Sequence, residues 1–190
     1  VHRFARQLMA RLDKISAKDE IKIIVPKGTI TPIYQNIEII PYGNKKGILW
    51  EQSDFPIYLK KNNGIGVNLC NSQPLWKPGI ICIHDVAYKT HPEYFKTLHG
   101  KLSVLWHKLV YRLAAWSKYP IITVSYFSKY SIIDTYQVKP ERIHVISNGW
   151  QHIQDISPDY TILEKNNLKE QCFYFTLGNI NYNKNTQWVL

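Results

Sequence analysis

Residues 79–88 read Gly79-Ile-Ile-Cys-Ile-His84-Asp85-Val-Ala-Tyr88, and the fold class can be predicted from the pattern of this segment. Residues 80–83 are apolar without alternation, which is typical of a strand covered on both faces in a parallel sheet between helices. His84 and Asp85 follow at the carboxyl end of this strand, where open α/β sheets bind ligands. The alternative is a plain turn in which Asp85 accepts hydrogen bonds from backbone N–H groups.

The segments on both sides of this strand alternate between short apolar runs and helical patterns. Such alternation predicts βαβ units, and therefore an α/β fold with a parallel sheet flanked by helices. Ser125 is a suitable N-cap for the helix that follows it. We expect strands at 21–25, 37–40, 65–69, 80–83, 121–124, 143–146 and 173–177, helices at 1–15, 92–117 and 126–136, and partial helix at 47–60, interrupted by Pro56.

Two further segments are expected to lack regular structure. Asn148-Gly149 is a pair that favours a turn. Residues 151–170 are polar, contain Pro158 and have few large apolar side chains, which indicates a linker or an irregular segment.

Composition bounds the class of protein. With 45% hydrophobic residues, the 190-residue chain can bury the core of one domain and part of a second. Its net charge of +10 favours an anionic partner, such as a nucleotide or an anionic membrane surface. Nucleic acid is disfavoured, because the basic residues are spread out and no nucleic-acid-binding signature is present.

The cysteines indicate the compartment. Cys70, Cys82 and Cys172 have no metal-like spacing and lie in or beside apolar runs, so we expect buried free thiols in a reducing cytoplasm. The sequence has no signal peptide and no apolar run near 18 residues. No carboxylate pair has ligand-like spacing, so neither a metal nor a cofactor is implied.

Five segments, in this order, resemble the retaining glycosyltransferases of family 4, which have the GT-B architecture of two Rossmann-like domains. The segments span most of the chain, from residue 2 to residue 185. They are His2-Arg-Phe-Ala-Arg-Gln-Leu-Met-Ala-Arg-Leu; Ile83-His84-Asp85-Val86 with His91-Pro92-Glu93-Tyr94-Phe95; Thr123-Val-Ser-Tyr-Phe-Ser-Lys129; Ile143-His-Val-Ile-Ser-Asn148-Gly149; and Phe175-Thr-Leu-Gly178-Asn-Ile-Asn-Tyr-Asn-Lys184-Asn185.

The resemblance implies a domain organisation and a reaction. Residues 1–150 would be a Rossmann-like acceptor-side domain without its first strand, 151–170 the interdomain linker, and 171–190 the start of the donor-binding domain. The reaction would move a sugar from a nucleoside diphosphate sugar to an acceptor hydroxyl with retention, in the synthesis of a cell-surface polysaccharide or glycolipid. The acceptor would be a saccharide or a lipid-linked saccharide.

The sequence departs from the family in three places. The glycine-rich loop after the first strand and the paired glutamates that grip the donor are absent from this chain. Asn179 occupies the position where the family often has an arginine that holds donor phosphate. The fragment alone is therefore expected to be inactive.

The resemblance also assigns roles to residues. His84 would orient the sugar or acceptor or help to transfer the acceptor proton, since histidine titrates near neutrality. Asp85 would fix its loop or bind an acceptor hydroxyl. On the acceptor side the other expected site residues are Tyr88, Ser125 and Ser128, and helix capping is the alternative role of both serines. On the donor side they are Lys184, Gly178, Asn148 and Gly149. The alternatives there are a solvated surface lysine for Lys184 and a plain turn for Asn148-Gly149.

The helix predicted at 92–117 has two interpretations. Family members often dock on the membrane in this region, and leucines and tryptophans beside a basic stripe suit an interfacial helix. Such a protein would be cytoplasmic and peripheral on the inner face of the plasma membrane. We favour the alternative, in which most of the leucines cover the sheet as core. The membrane-facing candidates are Lys96, Lys101, Trp106, Lys108 and Arg112.

Two other classes of protein compete with the transferase. One is a non-catalytic binding or membrane-docking module with the same fold, for which Asn179 and the absent glutamates leave room. The other is a nicotinamide-dependent enzyme, which is disfavoured because no G-x-G-x-x-G follows any strand of this chain.

Overall fold

The computed structural model describes residues 2–18, 20–154, 156–169, 171–175 and 188. The chain divides into two compact units, Val1–Asn148 and Gly149–Leu190. None of the helices in the described part has the length and apolar character needed to span a membrane. The predicted assignment of these parts to an acceptor-side domain, a linker and a donor-binding domain stays a prediction.

The first unit is an α/β structure with parallel sheets flanked by helices, consistent with a Rossmann-like fold. Its strands form a two-stranded parallel sheet, β1–β2, and a four-stranded parallel sheet in the order β3-β4-β5-β6. The strands are β1 (Lys22–Val25), β2 (Glu38–Pro41), β3 (Val67–Asn68), β4 (Ile80–Cys82), β5 (Ile121–Thr123) and β6 (Ile143–Val145). The fold class predicted from the sequence is confirmed, although the parallel strands form two sheets in the described chain.

The helices of the first unit are α1 (His2–Ile15), α2 (Gly47–Leu49), α3 (Phe55–Lys61), α4 (Ala87–Thr90), α5 (Leu98–Trp116) and α6 (Tyr126–Tyr136). A π-helix at Trp50–Asp54 joins α2 to α3, and short 3-10 helices lie at Pro92–Tyr94 and Pro140–Arg142. The predicted interruption at Pro56 is wrong, because Pro56 lies in the first turn of α3, where its missing N–H costs little.

The core lies between the four-stranded sheet and the helices α5 and α6. β4 contributes most to it, since Ile81, Cys82 and the following Ile83 are at most 1% exposed. The strand is therefore covered on both faces, as its unbroken apolar run predicts. Most of the other core residues come from the neighbouring strands and the two helices, and Val86 and Val138 come from the loops: Ile121, Ile143, Val110, Tyr111, Ala114, Ile132, Val86 and Val138.

Two close contacts fix the start of β4 and the position of α1. A Cβ atom on Gly79 would collide with the carbonyl oxygen of Gly66, so glycine is required where the chain enters β4 beside β3. At the end of α1, the Asp13 carboxylate accepts backbone N–H groups from Gln35, Asn36 and Ile37. These bonds, that from Gln35 foremost, hold the pKa of Asp13 below its ordinary value.

The helix predicted at 92–117 differs from the structure in its start and in its buried face. A 3-10 turn occupies Pro92–Tyr94, and α5 begins only after Thr97, whose side chain accepts a hydrogen bond from the Gly100 N–H. The leucines do not form the core. Leu98, Leu102, Leu105 and Leu109 are exposed, and the smaller Val104, Val110 and Ala114 with Tyr111 are buried instead.

Four other predictions differ from the structure in the described residues. Residues 146–150 contain no turn, and Gly149 does not have a positive φ. Cys82 is buried as expected, but Cys70 and Cys172 are exposed. In the second unit, residues 173–175 are not in a strand, and residues 176–177 of that predicted strand lie outside the described residues. A 3-10 helix at Gln151–Ile153 and α7 (Thr161–Lys165) lie within the segment predicted as a linker or irregular.

Candidate functional site

The carboxyl ends of the four parallel strands lie at one edge of the larger sheet. Because β3 to β6 run parallel and in sequential order, the residues that follow them share this edge. Asn71 follows β3, His84 follows β4, Ser125 follows β5 and Asn148 follows β6. This is the edge at which open α/β sheets bind ligands, so we consider it the candidate site.

His84 is held by contacts from three neighbouring segments. Its backbone N–H donates to Asn71 Oδ1 at 2.8 Å, and its carbonyl accepts from Ser128 Oγ at 2.9 Å. Its ring nitrogen Nε2 lies 3.0 Å from the Leu69 carbonyl oxygen, and the Phe4 ring meets the imidazole edge-on with centroids 5.2 Å apart. The half-buried imidazole is therefore fixed in orientation by the loop after β3, by α6 and by α1.

The contact with Leu69 determines which ring nitrogen of His84 can act as a base. A carbonyl oxygen only accepts hydrogen bonds, so Nε2 must carry the proton that it shares with Leu69. In the neutral imidazole, Nδ1 is then the nitrogen with the free lone pair. The ring is thus prepared to accept a proton or a hydroxyl hydrogen bond at Nδ1.

The two serines predicted on the acceptor side act within the protein. Ser125 is the N-cap of α6, where its Oγ accepts from the Ser128 N–H and donates to Ser128 Oγ, both at 3.0 Å. Ser128 is only 7% exposed, and its hydroxyl donates onward to the His84 carbonyl. Ser128 therefore positions His84 through its carbonyl, and Ser125 makes the capping contact given as its alternative role; the predicted acceptor roles of both serines stay predictions.

Asp85 and Tyr88 have structural contacts in the loop after β4. Asp85 is exposed, and its Oδ1 accepts from the Ala87 N–H at 3.0 Å, which is the turn expected as its alternative role. The Tyr88 ring is stacked between Phe95 and His107, with centroid distances of 4.6 and 3.8 Å. The loop is therefore rigid on both sides of Val86.

His107 is a second imidazole near this loop that the sequence reasoning missed. Its Nδ1 donates to the Ser103 carbonyl at 2.7 Å, which leaves Nε2 as the acceptor in the neutral ring. Burial lowers the pKa of His107 below its ordinary value of 6.5, and the negative charge of Asp85 opposes this shift. Its place among the buried positions of α5, beside Val104, Val110 and Tyr111, was the signal that could have identified it.

A hydrogen-bonded carboxylate was also missed. Glu51 lies in the π-helix at Trp50–Asp54, where its Oε1 accepts from Ser72 Oγ at 2.6 Å and from Gln52 Nε2 at 2.8 Å. The Trp106 indole donates to Ser72 Oγ at 3.3 Å, which links α5 to this carboxylate. Trp106 is partly buried and packs against the core, and its predicted contact with a membrane stays a prediction.

Of the basic residues predicted to face a membrane, Lys96 precedes α5, whereas Lys101, Lys108 and Arg112 lie along the helix. Lys101 and Arg112 are exposed, whereas Lys108 is half-buried. The Arg112 guanidinium lies over the ring of Trp116, 5.8 Å from its centroid. The tryptophan on the outer face of α5 is Trp116, which is 75% exposed, whereas the sequence analysis expected Trp106 there.

The predicted donor-side residues are only partly described. Asn148 and Gly149 are both exposed, one at the end of the first unit and the other at the start of the second. Gly178 and Lys184 lie outside the described residues, so their predicted roles stay predictions. Within the described part of the chain, no group of three or more His, Cys, Asp and Glu side chains could hold a metal ion.

The chain is an α/β protein whose polar residues follow the carboxyl ends of parallel strands. Comparison with protein-family models, with curated proteins and with solved structures finds no match in any of the three. Assignment of a function therefore depends on the chemistry of the residues at this edge of the sheet.

Proposed function

We propose that this chain is the acceptor-side part of a glycosyltransferase. The enzyme moves a sugar from a nucleoside diphosphate sugar to an acceptor hydroxyl, with retention. The observation that carries the proposal is the fixed imidazole of His84 at the carboxyl end of β4, with Nδ1 left as its acceptor nitrogen. The resemblance of five ordered segments to retaining glycosyltransferases supports it.

The site chemistry fits transfer to a hydroxyl. An acceptor hydroxyl gains nucleophilicity when its hydrogen bonds to a base, and in the neutral ring His84 Nδ1 offers the lone pair that such a base needs. The bonds from Asn71 and Ser128 to the His84 backbone hold the ring in place without using Nδ1. Such positioning lowers the barrier because the reacting groups need not be ordered at each turnover.

The test is nucleoside diphosphate release by the intact protein with a panel of sugar nucleotides and membrane extract as acceptor. His84→Ala is compared with wild type and with His144→Ala. His144 is an exposed histidine on β6, so its loss removes an imidazole outside the site. We expect release with one donor, loss of release in His84→Ala and retention in His144→Ala.

The other outcomes separate the reaction from the residue. If His84→Ala still releases nucleoside diphosphate, the protein is a transferase but His84 is not part of its active site. If no donor gives release, the transferase proposal is contradicted and a non-catalytic module with the same fold becomes the better explanation.

A second candidate function, docking on an anionic membrane, rests on the outer face of α5. Five apolar side chains of this face recur at spacings of three, four and seven residues and are exposed: Leu98, Leu102, Leu105, Leu109 and Trp116. We call this set the leucine face. Lys101, Lys108 and Arg112 lie along one border of it, and the chain carries a net charge of +10. An apolar stripe beside cations is the pattern of an interfacial helix.

Vesicle flotation tests the membrane candidate. Wild-type protein should float with phosphatidylglycerol-containing vesicles at low salt and remain in solution with pure phosphatidylcholine. The double variant Leu102→Gln/Leu109→Gln should lose flotation, whereas Ile30→Gln/Ile33→Gln removes two exposed isoleucines from another segment and should retain it. Absence of flotation by the wild type, together with a concentration-dependent dimer, would instead assign the leucine face to a second copy of the chain.

A further inference from the structure

A cavity of about 520 Å³ lies beside the first turns of α5, outside the candidate site. This volume is within the range of small-molecule sites, roughly 300–1,000 Å³. Its wall is mainly apolar, with two cationic side chains. The lining residues that matter are Pro92, Phe95, Lys96, Lys101, Val104 and Leu105.

The apolar wall is built from fixed groups. Phe95 is stacked on Tyr88 with ring centroids 4.6 Å apart, and Val104 is buried against the protein. Gly100 brings α5 close to Phe95, since a Cβ atom there would lie 3.1 Å from the Phe95 Cβ. A ligand that enters this cavity therefore meets preformed apolar surface, which reduces the ordering cost of binding.

The charges that line the cavity favour an anion. Lys96 and Lys101 are exposed and contribute two positive charges. Glu93 also lines the cavity, but its Oε1 contacts His91 Nδ1 at 3.0 Å, and hydrogen bonding holds the pKa of Glu93 below its ordinary value. Because Lys96 and Lys101 outnumber Glu93, these three side chains give the lining a net positive charge.

The cavity is continuous with the leucine face. Leu105 belongs to both, and Lys101 lies on the basic border of that face. An occupant that combines an anionic group with an apolar chain would satisfy the lysines and the Phe95 wall together. A phospholipid from the surface on which the leucine face docks has this combination.

We propose that the cavity binds one anionic phospholipid. The phosphate lies between Lys96 and Lys101, and the first part of an acyl chain packs on Phe95, Val104 and Leu105. This inference rests on the membrane candidate above, and it adds a specific lipid site to a general surface attraction.

The test uses monomeric lipid, so that binding does not require a membrane. Dihexanoyl phosphatidylglycerol, kept below its micelle concentration, is titrated into the isotope-labelled chain while backbone amide shifts are recorded. We expect saturable shifts at Phe95, Lys101 and Val104. The variant Lys96→Gln/Lys101→Gln should bind about tenfold more weakly, because two charge-assisted hydrogen bonds are lost.

Matched controls define the site. Lys60→Gln/Lys61→Gln removes the same charge from an exposed pair at the end of α3 and should bind like wild type. Equal weakening in this control would overturn the proposal in favour of diffuse charge attraction. If inorganic phosphate causes the same amide shifts, the ligand is a free phosphate and not a phospholipid. If dihexanoyl phosphatidylcholine causes the same shifts, the cavity does not require a lipid with a net negative charge.

The two membrane proposals can fail separately. Flotation of vesicles without saturable shifts by monomeric lipid would refute the cavity site and leave docking through the leucine face. Saturable shifts at the cavity that are lost in Lys96→Gln/Lys101→Gln would support the cavity site even if vesicles do not float.

Discussion

The guanidinium of Arg142 joins the end of α5 to the segment before β6. Its Nη1 donates to the Ala115 carbonyl at 2.6 Å, and its Nη2 donates to the carbonyls of Ala114 at 3.1 Å and Tyr119 at 2.7 Å. The last carbonyls of a helix carry the negative end of its dipole, and that of Ala114 also accepts from the Ser117 N–H and from Ser117 Oγ. Arg142 therefore caps α5 with charge-assisted hydrogen bonds.

The magnitude follows from these three bonds. A hydrogen bond to a charged group contributes about 1.5–3 kcal/mol to stability. Arg142 is half-buried and its Nε lacks a partner among the described residues, so water replaces part of the loss and the bonds do not add fully. We expect Arg142→Gln to lower the free energy of unfolding by about 2–3 kcal/mol, and the melting temperature by about 4–12 °C.

Urea and thermal unfolding followed by far-ultraviolet circular dichroism measure the effect. Arg112→Gln removes an equal charge from the exposed face of the same helix and also loses the contact with the Trp116 ring, so it should change stability by at most about 1 kcal/mol. Arg142→Lys should lie between wild type and Arg142→Gln, because an ammonium lacks the planar fork of donors. If Arg142→Gln destabilises no more than Arg112→Gln does, the capping explanation is refuted.

Three further predictions follow from buried groups. Tyr111 is 0% exposed and its hydroxyl has no partner among the described residues, so Tyr111→Phe should raise the free energy of unfolding by about 1 kcal/mol in urea titrations; a loss of stability would show that the hydroxyl is bonded. Because burial lowers the pKa of His107 in the folded state, the unfolded state binds more protons below pH 6.5. The free energy of unfolding should therefore fall as the pH drops through 6.5 towards the lower pKa of His107 in the folded state. His107→Gln should make the free energy of unfolding depend less on pH in this range. If the dependence on pH is the same in the variant, His107 is not its cause. Burial raises the pKa of Cys82 to about 12, so this thiol should not react with iodoacetamide until the chain unfolds. The exposed Cys70 and Cys172 should be modified in the folded protein, and mass spectrometry of peptides would show which cysteines have reacted.

Local signals were sufficient for much of the fold. The unbroken apolar run at 80–83 predicts a strand buried on both faces, and β4 forms there. Ser125 marks the start of α6, and the observed bounds agree with the predicted 126–136 because the cap acts through adjacent residues. Such features depend on a few neighbouring positions, so the sequence contains them directly.

The orientation of α5 could not be predicted in this way because the helix has two apolar faces. Leu102, Leu105 and Leu109 recur with helical spacing, but so do the smaller Val110 and Ala114 on the other side. Periodicity shows that a face exists but not which face packs on the sheet. The structure places Val110, Tyr111 and Ala114 in the core, whereas the leucines at 102, 105 and 109 remain exposed.

The candidate site was predicted only where its residues follow a strand. His84 is adjacent to its strand, so its place at the sheet edge follows from the pattern. Glu51 reaches Ser72 across 21 positions of sequence, through a π-helix that no apolar period indicates. His107 approaches Tyr88 from a different element, so its contribution appears only when α5 is packed.

The two faces of α5 allow fold and docking to be separated experimentally. Val110 and Ala114 belong to the core cluster with Ile81 and Ile121 of the sheet, so their sizes are constrained and their replacement costs stability. Leu102 and Leu109 are 58% and 46% exposed, so they stabilise the described fold less than buried leucines would. A sequence selected only for folding gains little from leucine at these positions and loses solubility. Leu102→Gln/Leu109→Gln should therefore leave unfolding close to wild type while it abolishes flotation, and a large loss of stability would instead mean that the leucine face is covered within the protein.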